Sequence, residues 1–378
     1  MAFEKSPVSA EGVENLVFGA PGTLRAERAV AELRAGRPVV LHSEKGDVAV
    51  LALDTATPAI YEAFMAASAD RGMLYLTPPR AKVLGLDAPS GALVPAAGLD
   101  YHSLCQLGYM RSSAAPMKWS AGTPLAAQSA LLARVALLLP AILVADIQPD
   151  EPLFSACIVV MADDVEESYR GAAQQFQEVA RTPVPLKNAG TCEFVIFRGG
   201  FAQRDQLAII VGKPDFNQPV PVRVHSSCIT GDLFGSLKCD CGDQLNSGLQ
   251  ILGELGGGIL LYLDQEGRGT GLASKMRAYG LQHQGLDTVD ADAHLGFGGD
   301  ERRYEAAVAM LRGLGVHSVE LLTNNPAKIA YLSASGIEVL ARVPVEGSVT
   351  TENENYLRTK VARSGHIMDV DTMIERNS

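Results

Sequence analysis

VPVRVHSSCITGDLFGSLKCDCGDQLNSGLQILGELGGGILLYL, Val220 to Leu263, holds in one stretch the pattern that decides the fold. VPVRVHSS alternates like a strand, QLNSGLQILGEL repeats apolar residues at helical spacing, and GILLYL is a short apolar run bounded by glycine. Strand, helix and strand in succession point to an α/β layer. Between the first strand and the helix, Cys228, Cys239 and Cys241 fall within fourteen residues as C-x10-C-x-C. The chain has only three other cysteines, Cys105, Cys157 and Cys192.

The alternation continues downstream. After the loop DQEGRGTG comes helical LASKMRAYGLQHQ, and Tyr304, Ala307, Val308, Leu311 and Leu314 recur at helical spacing. Strand SVELLT, helix PAKIAYLSASG and strand IEVLARV follow. Upstream lie three strand-like runs, EFVIFRG, QLAIIVG and the opening VPVRVHSS, so this region reads as mixed α/β with a β-rich entrance. The first part of the chain reads as helix RAERAVAELRAG, strand PVVLHS, helix AIYEAFMAASADRG and strand MLYLT. Later comes a buried helix ending at Pro140 and the strand AILVADI. ESYRGAAQQFQEVAR, 167–181, is expected to be helical, and the proline-bearing TPVPLKNAG to follow it as a linker. The domain boundary is placed near residue 170, giving domains 1–170 and 171–378.

At 378 residues the chain can bury two cores, and its 47% apolar and 20% charged residues are globular composition. A net charge of -11 argues against a general electrostatic grip on nucleic acid or an anionic membrane, so an anionic substrate needs a local basic pocket. ALLARVALLLPAILVA is short for a membrane span and contains Arg134 and Pro140. MAFEKSPVSAEG has no secretory pattern, so a cytoplasmic location is expected, where clustered thiols more often bind metal than pair.

Three thiolates leave tetrahedral zinc one ligand short, and an open fourth position marks a catalytic site holding water of lowered pKa. A closed knuckle completed by His225, or three unligated thiols, are the other readings of the same residues. EGRGTG, 266–271, is a glycine-rich turn with Arg268 as a phosphate or carbonyl contact. GDERRY puts Asp300, Glu301, Arg302 and Arg303 at a helix start, which alone reads as a charged first turn. LLTNNPAK offers exposed amides, Thr323 and Lys328 as an anion cradle, and reads equally as an N-capped helix. His283, His294, His317 and His366 share no metal-ligand spacing.

Together these motifs resemble GTP cyclohydrolase II over about Glu178 to His366. The likeness rests on RVHSSC, TGDLFGSLKCDCGDQL, GILLYLDQEGRGTGL, KMRAYGLQHQGLDTVDA, LGFGGDERRY, LLTNNPAK, GIEVLARVPV and NYLRTKVARSGH. It implies zinc on Cys228, Cys239 and Cys241, and magnesium with the triphosphate of the substrate GTP. It implies nucleotide contacts from Arg223, Val224, His225, Ser226 and Ser227, then from Gln244, Glu266, Gly267 and Arg268, and from Thr288, Thr323 and Lys328. Asp300 would accept a proton, Arg302 would be a nucleophile, and Tyr279 would lie near the reacting base. The implied reaction yields formate, diphosphate and 2,5-diamino-6-(5-phosphoribosylamino)pyrimidin-4-one, opening riboflavin biosynthesis, in a homodimer with no nucleic-acid or membrane partner. Ser227, Asp264 and Asp292 depart from the family's usual glutamate, arginine and asparagine. They keep open a paralogue acting on another nucleotide in pyrimidine catabolism, or a nucleotide-binding regulator without turnover.

Arg25 to about Asp146 faintly resemble dihydroxybutanone phosphate synthase, through GRPVVLHSEKGDVAVLAL, FMAASADRGMLYLTPPRAKVLGL and PAILVADI. The acidic magnesium loop of that enzyme is reduced here to Ser43, Glu44, Lys45, Gly46 and Asp47, and its glycine-histidine segment is replaced by WSAGTPL. Few carboxylates bind magnesium weakly, so this domain is expected to be a degenerate, non-catalytic relative.

Overall fold

The computed structural model describes residues 20–111, 113–148, 152–171, 176–200 and 205–377. The chain forms two compact units, Met1–Arg170 and Gly171–Ser378.

In the first unit, strands β1 (Val39–Ser43), β2 (Gly46–Ala52), β3 (Met73–Leu76), β4 (Ala92–Pro95), β5 (Ser120–Ala121), β6 (Ile142–Ile147) and β7 (Val159–Met161) form one sheet. Their order is β5-β4-β3-β6-β2-β1-β7, antiparallel except for the β1–β7 pair. Leu51, Phe64, Leu74, Leu104 and Leu143 lie in the core on one face of this sheet. The sequence reading omits β2, which pairs with β1 through a tight hairpin where Ser43 Oγ donates to the Gly46 carbonyl.

In the second unit, β8 (Gln177–Leu186), β9 (Gly190–Arg198), β10 (Gln206–Gly212), β11 (Val220–Ser226), β12 (Gly257–Leu263), β13 (Ser318–Leu322) and β14 (Glu338–Val343) form another sheet. Its order is β14-β13-β11-β12-β10-β9-β8. The four strands β14, β13, β11 and β12 run parallel, and β10, β9 and β8 continue antiparallel. Alternation puts Ala208, Ile210, Ile259 and Leu261 on one face, packed with Ala307, Val308 and Leu311 of the helix Glu305–Gly313. It puts Ile209, Val211 and Leu260 on the other, packed with Leu252 of the helix Cys241–Glu254. Helices thus cover both faces, which a parallel sheet requires.

Three sequence expectations are corrected. The helix expected over 167–181 spans Ala162–Gly171, and Gln177 onward is strand β8. β8 pairs along its length with β9, and Arg181 bridges Glu178 and Glu193 across it. Cross-strand pairing of this kind overrides helical periodicity. Because β8 is the sheet edge, its Pro183 and Pro185 are tolerated where a linker was expected. GDERRY is not a helix start: the helix begins at Glu305 with Tyr304 as N-cap, and 300–303 form the loop before it.

Candidate active site

The parallel strands deliver the site. In such sheets ligands bind beyond the carboxyl ends of the strands, where successive connections leave in opposite directions. β11 lies between β12 and β13, so the chain leaves it one way and returns on its other side. Cys228 follows β11, the turn Glu266–Gly269 follows β12, and Thr323 follows β13.

The sulfurs of Cys228, Cys239 and Cys241 lie within 4.8 Å of one another, with Cys228 and Cys239 3.6 Å apart. Gly231 sits against all three residues. A Cβ there would lie 2.9 Å from Cys239 Sγ, 3.0 Å from Cys241 Cβ and 3.2 Å from Cys228 Sγ. Hydrogen bonds from Cys239 and Cys241, then the ammonium of Lys275, hold Cys228 far below the ordinary thiol range. Sharing with Cys228 pushes Cys239 and Cys241 up, so a cation bound there must displace protons from them.

His225 does not join the cluster: its Nε2 is 3.2 Å from Asp232 Oδ1, and its ring stacks on Tyr262. Asp232 also accepts from the Cys228 amide at 2.9 Å and the Tyr262 hydroxyl at 2.8 Å. Lys275 Nζ donates to Cys228 Sγ at 3.1 Å and to Glu266 Oε1 at 2.7 Å. Glu266 Oε2 accepts from the Ile229 amide at 2.6 Å, so Glu266 braces the cysteine loop. Gly267 and Arg268 both have left-handed backbones, φ 63° and 61°. For arginine that conformation is strained, and such strain gathers at functional turns.

Two pockets adjoin here. One contains the three thiols, Ser227, Glu266, Gly267 and Tyr279. Lys238 and Lys275 place their ammonium groups 5.2 and 5.6 Å from the Tyr279 ring, and burial pushes its hydroxyl up to about 12. The other is basic, walled by Arg223, Arg268, Arg302, Lys328 and Lys360. Arg268, Arg302, Ser226, Cys241, Thr288 and Tyr356 border both. In the basic pocket Arg223 Nε, His225 Nδ1, Ser226 Oγ and His366 Nδ1 are buried without a hydrogen-bond partner. Buried polar groups are almost always satisfied, so four orphans on residues that line one cavity mark a place prepared for a polar ligand.

Each cation there is held. Arg223 donates to the Leu322 carbonyl at 3.0 Å and to Gln244 Oε1 at 2.6 Å, and burial lowers it to about 10. Lys328 donates to the Val224 carbonyl at 2.7 Å, and burial, then Arg223 and Arg302, pull its ammonium well down. Arg302 Nε donates to Asp300 Oδ1 at 2.7 Å. Burial opposes the charge of Arg302, but the Asp300 hydrogen bonds prevail and hold it firmly protonated. Arg268 pairs with Asp292 at 3.1 Å, yet burial raises Asp292 to about 7. Burial and the neighbouring cations drop His366 to about 4, leaving it neutral.

Of the residues named from sequence, Val224 presents no side chain to either pocket: that group is in the core and its carbonyl accepts from Lys328. Gln244 and Thr323 line the basic pocket. Asp300 lines neither pocket and acts on Arg302 from behind. Asp264 is exposed and its amide donates to Gln206. Sequence reasoning missed Lys275, Asp232, Asp240, Tyr356 and Lys360. Tyr356 and Lys360 sit four apart inside NYLRTKVARSGH, a helical spacing that was available as a signal. No helix among the described residues is long and apolar enough to cross a membrane.

A family model described as GTP cyclohydrolase II matches residues 177–344. The GTP cyclohydrolase-2 of Xylella fastidiosa (strain 9a5c) is 54% identical over 362 residues, 94% of this chain and 90% of that protein. The GTP cyclohydrolase-2 of Azospirillum brasilense is 38% identical over 359 residues, covering 90% of this chain and 93% of its own. The riboflavin biosynthesis protein RibBA of Endomicrobium trichonymphae is 44% identical over 202 residues, 53% of this chain and 50% of that protein. With 94% of this chain aligned, the Xylella likeness extends into both units.

Proposed function

Because the chain belongs to the GTP cyclohydrolase II family, we propose that it converts GTP and water to formate, diphosphate and 2,5-diamino-6-(5-phosphoribosylamino)pyrimidin-4-one, the first step of riboflavin biosynthesis. The observation that carries this reading is the union of a three-thiol cluster with a basic pocket across shared walls, Arg268 and Arg302. A nucleoside triphosphate has this division, a base at one end and anionic oxygens at the other.

Zinc fits the thiols. Zn–S bonds of about 2.3 Å in a tetrahedron set sulfurs about 3.8 Å apart, against 3.6 Å for Cys228 and Cys239. Bound there, zinc supplies a Lewis acid and water of lowered pKa beside the purine ring. The chain's own residues do the rest. Lys275 and Glu266 fix the cysteine loop, and Tyr279 walls the base. Arg223, Arg268 and Lys328 bind phosphate oxygens as charge partners. Arg302 stabilises the charge that develops as diphosphate leaves. A nucleophilic Arg302 is disfavoured by its geometry, because Asp300 accepts from its guanidinium and holds it protonated. Asp300 orients Arg302 and does not reach the pocket itself.

Magnesium with the triphosphate, a homodimer and a cytoplasmic location complete the proposal, each carried over from the family. The first unit is proposed to make no dihydroxybutanone phosphate, because in the hairpin expected to hold magnesium Asp47 is engaged by His42 at 2.5 Å. Purified, zinc-loaded protein should release formate and diphosphate from GTP in equal amounts, with other purine nucleotides inert. Absence of formate from GTP would overturn the assignment.

A further inference from the structure

The basic pocket is closed by a segment that lies beyond the matched family region, which ends at residue 344. The helix Glu354–Ser364 supplies Tyr356, Thr359 and Lys360 to the wall, and His366 follows it. Three ties hold this segment in place. Arg363 reaches Asp290 Oδ1 at 3.0 Å and also pairs with Asp287, the Ile367 amide donates to the Asn324 carbonyl at 2.8 Å, and Thr350 Oγ1 donates to the Leu237 carbonyl at 3.0 Å.

The fourth tie is the informative one. Asp240 stands between Cys239 and Cys241, with its side chain fully buried. Its Oδ1 accepts from Lys360 Nζ at 2.7 Å, and its Oδ2 accepts from Gln244 Nε2 at 2.6 Å. Gln244 in turn accepts from Arg223 at 2.6 Å. One carboxylate in the Cys-Asp-Cys turn therefore holds Lys360 directly and Arg223 through Gln244, and both cations line the basic pocket. An ammonium has three donors, so the single bond to Asp240 leaves others for a ligand. Its Nζ lies over the Tyr356 ring, 4.4 Å from the centroid, which fixes where the charge sits.

We propose that Lys360 is a further polyphosphate-binding residue of this site and that Asp240 is its positioning residue, so the turn that carries two thiols also sets the phosphate contact. The proposal rests on the reading that the basic pocket takes the triphosphate, but it concerns the phosphate chain alone. A bland alternative exists: Lys360 could serve only to neutralise the buried Asp240.

The test is equilibrium binding of inorganic tripolyphosphate to the full, zinc-loaded chain by calorimetry, with metal content measured for every variant. Loss of one charge-assisted contact should weaken binding about ten- to hundredfold in Lys360→Met, with partial rescue in Lys360→Arg. The double variant Asp240→Asn with Lys360→Met removes the unpaired buried charge, so it separates the two roles. A polyphosphate-binding lysine leaves the double variant as weak as Lys360→Met. Recovery of parent affinity in the double variant, equal affinity in Lys360→Met, or no tripolyphosphate binding by the parent would each overturn the proposal. Tripolyphosphate binding that depends on Lys360, in a protein that releases no formate from GTP, would leave this inference standing while the cyclohydrolase reading falls.

Discussion

Gly231→Ala adds one methyl group at the point where the three cysteines meet. The backbone of Gly231 is not among those with positive φ, so alanine brings no conformational strain, and the effect is steric. The new Cβ would stand 2.9 Å from Cys239 Sγ and 3.2 Å from Cys228 Sγ. Comfortable contact lies at about 3.5–4.0 Å, so the sulfurs must retreat by roughly half an ångström. A metal site tolerates about 0.2 Å in its ligand distances. The strain therefore falls on metal binding, and overpacking of this size costs about 1–3 kcal/mol. That is roughly ten- to hundredfold in metal affinity at about 1.4 kcal/mol per decade. Competition with a chromophoric chelator measures it directly, with circular dichroism as the check that the domain is folded. Gly253→Ala is the control, since a Cβ there meets nothing within 4 Å and a helical alanine should if anything stabilise. Parent zinc affinity in folded Gly231→Ala would refute both the geometry and the role of the thiols.

Cys228→Ser should abolish formate release while Arg302→Ala depresses diphosphate release, both products being measured from one reaction; parent-rate diphosphate in Arg302→Ala would reduce Arg302 to a partner of Asp300 alone. Asp292 is raised to about 7 by burial, partly offset by Arg268. Its folded carboxyl therefore holds a proton that the unfolded chain has lost, and the stability it contributes is present at acid pH and falls as pH climbs toward 7. Asp292→Asn should consequently gain in stability over the parent progressively between about pH 4 and 7 and level off above, by at most a few kcal/mol; a gain independent of pH would refute the shift. The whole chain with magnesium should leave ribulose 5-phosphate unchanged, and its turnover would show a working first unit.

The elements legible in sequence are those whose signal is local. β9 to β13 read correctly because alternation and short apolar runs report the two covered faces of the sheet. β8 did not, because its strand state is set by pairing with β9 and its exposed residues carry no apolar period. The thiol cluster was legible because cysteine is rare and its spacing is chemical. Lys275 was not, because a lysine on a helix carries no mark until Glu266, nine residues earlier in the chain, is folded onto it at 2.7 Å. Asp240 is the sharper case: in sequence it is merely the spacer between two ligands, and only burial reveals its work.

The disposition of charge makes the strongest physical sense of the site. A chain of net charge -11 needs a concentrated positive field to draw an anion in. Placing five cations around one cavity would scatter them by mutual repulsion if each were free to move. Here none is. Asp300 holds Arg302, Asp292 holds Arg268, Asp240 holds Lys360, and carbonyls of Leu322 and Val224 hold Arg223 and Lys328. Such holding spends part of each cation's attraction in advance. In return the donors already face the ligand, and little reorganisation remains when charge shifts during reaction. The orphaned Arg223 Nε, His225 Nδ1 and Ser226 Oγ are the complement of this arrangement, buried polar atoms whose partners are not in the protein. A folding chain tolerates such groups only sparingly, and their convergence on one cavity is therefore best explained by the ligand that completes them.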